Sequence, residues 1–337
     1  MTVGTSPLPT PRPQGRLLVP WLAQWFRRHE PSFLIGCGCI LLILFIGGIY
    51  NSHFLTLPYL LQQLQVASYL GIVAAGAMTV ILLGHIDLSV PWTMTTSAML
   101  ATGLAGNFGH GILALPIALA IGAAIGLVNG LGVAYVRIPS MIFTLGMNAV
   151  LQGLMVLYTG GSAPSSSATP LSIWLSNAHI IPGIANAVFC WVAVSAGMII
   201  LLRFTVLGRT IYAIGNRERA AYLCGLPVRG AILGAFMLAG IASAFAGLLL
   251  TGYAGKAYQG MGDSYLMPAI AAVVLGGTSI AGGHGTYKGT VMGTILIVVL
   301  QSVLAVMQMP DAGRQIIYGV IIFSMLMLYG RSPQNAR

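Results

Sequence analysis

Ten long apolar runs separated by short polar connections make up most of the chain. The first is Ser32–Tyr50, and the others follow at about 58–84, 88–106, 110–136, 139–159, 181–203, 227–252, 264–282, 287–308 and 313–330. An α-helix rises about 1.5 Å per residue, so roughly 20 apolar residues cross the hydrocarbon layer of a bilayer. Each run therefore predicts a spanning helix, and the pattern as a whole predicts an all-α, polytopic membrane protein with about ten transmembrane helices. Gly, Pro or an acid interrupts the runs near 84–106 and 264–282, which are the least regular of the ten. The first run exceeds a signal-peptide core and no small-x-small cleavage site follows it, so it predicts an uncleaved helix.

Charge orients the runs. With the N-terminus inside, thirteen of the fifteen Lys and Arg fall on cytoplasmic segments, among them Arg137, Lys288 and the cluster Arg203–Arg229. Only Lys256 and Arg314 fall outside. Basic residues concentrate on the cytoplasmic side of membrane proteins, and adding or removing one helix would turn the Arg203–Arg229 cluster outward. Both termini are thus expected in the cytoplasm. The predicted division is a Pro-rich basic arm at 1–31, a single transmembrane domain at 32–331 with a cytoplasmic loop at 203–229, and a tail at 332–337.

Composition agrees with this pattern. Hydrophobic residues make up 57% and charged residues 6%, against about 25% charged in soluble domains. The 44 glycines read as close helix packing in a membrane. The net charge of +10 lies between apolar runs as an orientation signal, so no nucleic-acid partner is expected. Cys37 and Cys39 are two apart on one helix, Cys190 and Cys224 fall on opposite sides of the membrane, and no pair has metal-site spacing.

Two places stand out chemically. The polar island Arg203–Gly230 holds five arginines and Glu218, one of only five acids. It predicts two short helices, Gly208–Ile214 and Arg217–Leu223, with a turn at Gly215-Asn216 and a stop at Gly225 and Pro227. Such a helix either inserts into a groove on another protein or only fixes topology. The second place is Asp87, flanked by His85 and Ser89 at bilayer depth, where a carboxylate costs on the order of 3 kcal/mol. Three roles stay open for it: capping the helix that follows, lining a path with Ser89, or carrying a proton. On the outside, the polar stretches Gly160–Pro170 and Gly252–Asp263 are either docking loops or solvated linkers, the first within a connection of about 20 residues.

Leu207–Val228, LGRTIYAIGNRERAAYLCGLPV, resembles the cytoplasmic coupling loop of permease subunits of bacterial ABC importers for ribose, xylose, arabinose and galactose. The resemblance extends to GHIDLSV (Gly84–Val90), GLVNGLGVAYVRIPSMIFTLGM (Gly126–Met147), LYTGGS (Leu157–Ser162) and AIAAVVLGGTSIAGGHGT (Ala269–Thr286), covering most of residues 60–330. It departs at Pro91-Trp92, where the family usually has Gly-Ser, and at Leu266, Met267 and Pro268, where it commonly has Glu-Leu-Asp. Two family carboxylates are therefore absent, and architecture transfers further than substrate identity.

The resemblance implies the membrane subunit of an ATP-driven importer of a monosaccharide or similar small polyol in the bacterial inner (plasma) membrane. Its implied partners are a cytoplasmic ATP-binding subunit, an outer substrate-binding protein, and a second copy or sister permease within the membrane lipid. Arg217, Glu218, Arg219, Ala220, Ala221 and Gly225 then form the coupling contact, and Asp87 with Ser89 supports the gate or path. No GxxxxGK[ST] is present; the nearest stretch, Gly282–Thr290, has Tyr287 before Lys288. No cofactor is expected on this chain, and ATP is expected on the partner. The alternatives from other classes are an ion-coupled secondary transporter using Asp87 and a membrane enzyme, the latter opposed by the lack of ligand or triad spacing.

Overall fold

The computed structural model describes residues 31–107, 109–161 and 167–330. The arm expected at 1–31, apart from Pro31, the tail at 332–337 and the serine tract at 162–166 lie outside the described residues.

The described residues are helical. Their α-helices are α1 (Pro31–Tyr50), α2 (Leu57–Leu82), α3 (Val90–Asn107), α4 (Ala114–Ala134), α5 (Ser140–Thr159), α6 (Pro170–Asn177), α7 (Asn186–Phe204), α8 (Val206–Asn216), α9 (Glu218–Leu223), α10 (Val228–Ala254), α11 (Leu266–Leu275), α12 (Tyr287–Val306) and α13 (Asp311–Gly330). Among them β-pairing is limited to two isolated bridges, Ser167 with Lys256 and Ile181 with Ile184. Every predicted apolar run contains a helix. Six helical segments are long and apolar enough to cross a membrane: Leu57–Leu82, Gly111–Ala134, Ser140–Thr159, Asn186–Phe204, Val228–Ala254 and Tyr287–Val306. Of the others, α3 has the length but is more polar, through Thr93, Thr95, Thr96, Ser97 and Thr102.

One expectation fails in its extent. The run 264–282 contains a helix of only 10 residues, Leu266–Leu275, about 15 Å long and too short to cross a bilayer alone. Past it the chain turns through Gly277, Gly282 and Gly283, all at positive φ, where a helix cannot continue. A second difference is α6, which occupies part of the connection expected to be an irregular polar loop. Thr169 starts it by accepting the Ser172 N–H at 3.3 Å, and Pro170 sits in the first turn, where its missing N–H has no cost.

The core is built around α2 and α10. From Ala67 to Leu82, α2 is buried on every side, as expected of a helix that is apolar all round. α10 packs on α4, α2 and α3, and Gly122 and Gly126 let the α4 backbone lie directly against Gly240 and Phe236. α5 is different: Ile142, Leu145 and Leu157 are exposed, so its apolar face points away from the bundle.

Candidate coupling site

Thr205 begins the polar island. Its hydroxyl accepts the Gly208 N–H at 3.1 Å, which starts α8 at Val206, two residues before the predicted start. Gly208, Thr210, Ile211 and Ile214 form the buried face of α8, at the three- and four-residue spacing of one helical side. Arg217 is extended and breaks the helix, and α9 begins at Glu218. Gly225 ends the turn after α9 at φ 76°, while the Leu226 N–H bonds back to the Ala221 carbonyl at 3.1 Å. Of the predicted contact residues, Arg217, Glu218, Arg219, Ala220 and Gly225 are exposed and Ala221 is buried. Tyr222 and Leu223, not among those predicted, expose 70% and 84% of their surface. The six-residue helix therefore holds two large apolar side chains outward. Their signal in the sequence was apolarity at positions that face away from Ala221.

Three separate motifs meet beside this helix pair. The Gly283 N–H donates to the Leu82 carbonyl at 2.9 Å, and the Tyr212 hydroxyl donates to the Gly285 carbonyl at 2.9 Å. Gly215 sits between these segments, where a Cβ would overlap the Leu82 carbonyl oxygen and the Gly283 N. The GHIDLSV motif, the polar island and the GGHGT turn thus touch through their backbones. The Glu218 carboxylate lies 3.5 Å from the Arg137 guanidinium, at the turn between α4 and α5, and Arg137 is held at φ 65°. His85, Arg137, Glu218 and Arg229 line a cavity of about 180 Å³. Burial pushes the His85 imidazole below its ordinary value, with the charge of Glu218 opposing.

Asp87 belongs to a second cluster, joined to the first by the non-helical stretch 84–89. It is buried, and its Oδ1 accepts the Ser89 N–H at 2.8 Å and the Ser89 hydroxyl at 2.6 Å. Asn129 of α4, which sequence reasoning missed, donates from Nδ2 to Ser89 Oγ at 2.8 Å, while its Oδ1 has no partner. Ser140 and Thr144 of α5 accept the N–H groups of Ile86 and Leu88 at 3.3 and 2.9 Å. The N–H groups of Ile86, Leu88 and Ser89 are therefore satisfied by side chains, while those of Gly84 and His85 bond back to the Ile81 and Val80 carbonyls of α2. Pro91 occupies the first turn of α3, where proline is tolerated, so its departure from the family pattern is compatible with the local geometry. Within the described residues, no group of three or more His, Cys, Asp or Glu could hold a metal ion.

Residues 59–326 match the family described as branched-chain amino acid transport system / permease component. The ribose import permease protein RbsC of Escherichia coli strain K12 is 33% identical over 286 residues, covering 84% of this chain and 89% of that protein. RbsC of Bacillus subtilis strain 168 is 32% identical, with 86% and 90% covered. The autoinducer 2 import system permease protein LsrC of Yersinia enterocolitica is 31% identical, with 87% and 81% covered. No solved structure gives a significant match. A family match over most of the chain, with three of its resembling motifs packed at one joint, makes this protein a member of the branched-chain amino acid transport system / permease component family.

Proposed function

We propose that the chain is the translocation subunit of an ATP-driven importer for a monosaccharide or similar small polyol. A cytoplasmic ATP-binding subunit supplies the energy, an outer binding protein delivers the substrate, and two copies or a copy and a sister permease form the pore. The observation that carries this reading is the joint at Gly215, where the short helix α8, which leads directly into α9, rests on the end of α2 and the 276–286 turn. A partner that moves α9 would move both clusters. Ribose in the names of two relatives supports the sugar class, although the family description names amino-acid transport.

The ten-span topology with both termini inside belongs to the same proposal. Connections expected inside contact one another, as in Arg137 with Glu218 and Gly283 with Leu82. Connections expected outside do likewise, as in Gln259 with Thr159 at 2.8 Å and Ala168 with Gly255 at 2.9 Å. In this reading Asp87 caps the start of α3, since its carboxylate already holds the Ser89 N–H.

The test is uptake with the ATP-binding and binding-protein subunits co-expressed. Uptake is expected to follow ATP, and Glu218→Lys is expected to lose the ATP-binding subunit on purification while staying in the membrane. Accumulation that collapses with an uncoupler at constant ATP would overturn the reading in favour of an ion-coupled transporter using Asp87.

A further inference from the structure

At the end of the bundle opposite α8 and α9, a cavity of about 660 Å³ opens between α2, α11, α12 and α13, closed on one side by the loop 258–264. Small-molecule sites occupy roughly 300–1,000 Å³, so one ligand fits with room for water. The loop wall is fixed: the Gly262 N–H donates to Thr95 Oγ1 of α3 at 3.3 Å, and Met261 is buried.

The polar lining is mixed and mostly uncharged. Gln301 and Gln315 each offer an amide with two donors and an acceptor. Tyr318, only 3% exposed, has a hydroxyl with no partner in hydrogen-bonding geometry, although Gln301 lies beside it. Leaving a buried hydroxyl unsatisfied is unfavourable, a cost that a hydroxylated ligand removes. Tyr258 and Tyr265 supply ring surface for the C–H side of such a ligand.

The charges argue against an amino acid. Arg314, the only cation of the lining among the described residues, is already engaged by Asp311 Oδ1 at 3.3 Å and by the Met309 carbonyl at 3.1 Å. A ligand carboxylate would have to compete with these two partners for the guanidinium. Asp263 has no ion-pair partner among the described residues and is a strong acceptor for hydroxyl groups.

We propose that this cavity is a hydroxyl-reading site for a small uncharged polyol on the outer side of the permease, where substrate is held before it passes inward. The site deepens the importer reading and rests on it for the identity of the outer side. Two amides, a tyrosine hydroxyl and a carboxylate bond the hydroxyls of the ligand, and the tyrosine rings cover its apolar face.

The test places one cysteine at the exposed rim, Ser264→Cys, after Cys37, Cys39, Cys190 and Cys224 are replaced by alanine. Labelling by a membrane-impermeant maleimide is followed in cells carrying the complete importer. Millimolar D-ribose, D-xylose or L-arabinose is expected to slow labelling at least about threefold, while L-leucine and inorganic phosphate leave it unchanged. Gln315→Ala is expected to raise the sugar concentration needed by about tenfold, the loss of one good hydrogen-bonding partner. Slowing by L-leucine and not by sugars overturns the polyol chemistry. Free labelling that no sugar slows overturns the site, and so does complete absence of labelling, which would mean that a second subunit fills the cavity. Wild-type uptake is scored separately: ATP-driven sugar uptake without protection sinks the cavity alone, whereas protection without ATP-driven uptake supports the cavity and sinks the importer reading.

Discussion

The two ends of the bundle are built from different materials. At the end that carries α8 and α9, Leu82, Gly215 and Gly283 meet backbone to backbone, with no side chain between them. At the opposite end, Gln301, Gln315, Tyr318 and Asp263 surround an open volume. Backbone contacts at glycine bring segments closer than any side chain allows, so a displacement of one is passed to the next with little slack. Side chains around a cavity can rotate to meet a ligand. The difference matches the proposed division of labour, a stiff joint where force enters and an adaptable pocket where substrate does.

Substitutions at the two ends test the contrast, and the largest effect is expected at the joint. Gly215→Val puts side-chain atoms into the Leu82 carbonyl and the Gly283 backbone. Almost complete loss of folded protein is expected by detergent-solubilised gel filtration. A normal elution profile would show that the joint is loose.

Next in size is the Asp87 pair of variants. Leucine removes the acceptor of the Ser89 N–H and hydroxyl, whereas asparagine can still cap, and losing a cap costs about 0.5–2 kcal/mol, more where water is absent. Asp87→Leu is expected to lose expression and Asp87→Asn to keep substantial uptake. A fully assembled but inactive Asp87→Asn complex would mean that the charge serves transport directly.

A smaller effect is expected at Gly255 in the outer turn, where φ is 78° but no atom lies within 4 Å of an added Cβ. Gly255→Ala carries only left-handed backbone strain, about 1–2 kcal/mol. It should lower the melting temperature of the purified protein by a few degrees and leave the fold intact. Equal damage from Gly255→Ala and Gly215→Val would erase the distinction between the ends.

The smallest thermodynamic effect is expected for Arg137→Ala. The pair with Glu218 leaves 61% and 45% of the two side chains exposed, and exposed pairs are worth about 0–1 kcal/mol. Stability should hold while uptake falls, because the contact ties α9 to the α4–α5 turn. Arg137→Glu combined with Glu218→Arg should recover part of the uptake, and no recovery would show that the pair plays no part in coupling.

The sequence reading located every apolar run that became a helix, because hydrophobic length reports directly on helices in a bilayer. It also marked Glu218 as the acid of the polar island, but it placed the break between the two short helices at Gly215-Asn216, whereas α8 runs through Asn216 and the chain breaks at Arg217. It missed α6, although Thr169-Pro170 is a legible start signal, because the polar stretch before it reads as a linker. It overran α11, since Gly276 and Gly277 interrupt an apolar segment without changing its hydropathy. Asn129 was invisible as a partner of Ser89, being 40 residues away on a helix whose other buried positions are apolar or glycine.

Composition, run length and charge placement by themselves determined an all-helical membrane protein, and the order of its motifs pointed to its family. Each of these is a local or additive property, readable one segment at a time. Only the tertiary structure decided that Leu82, Gly84, Gly215 and Gly282–Gly283 share one joint, that Arg137 is the partner of Glu218, and that α2, α11, α12 and α13 leave a polar cavity between them. Those facts depend on which helices pack together. In a bilayer that choice is made by close backbone approach and hydrogen bonding between distant segments, and apolar periodicity carries little record of it.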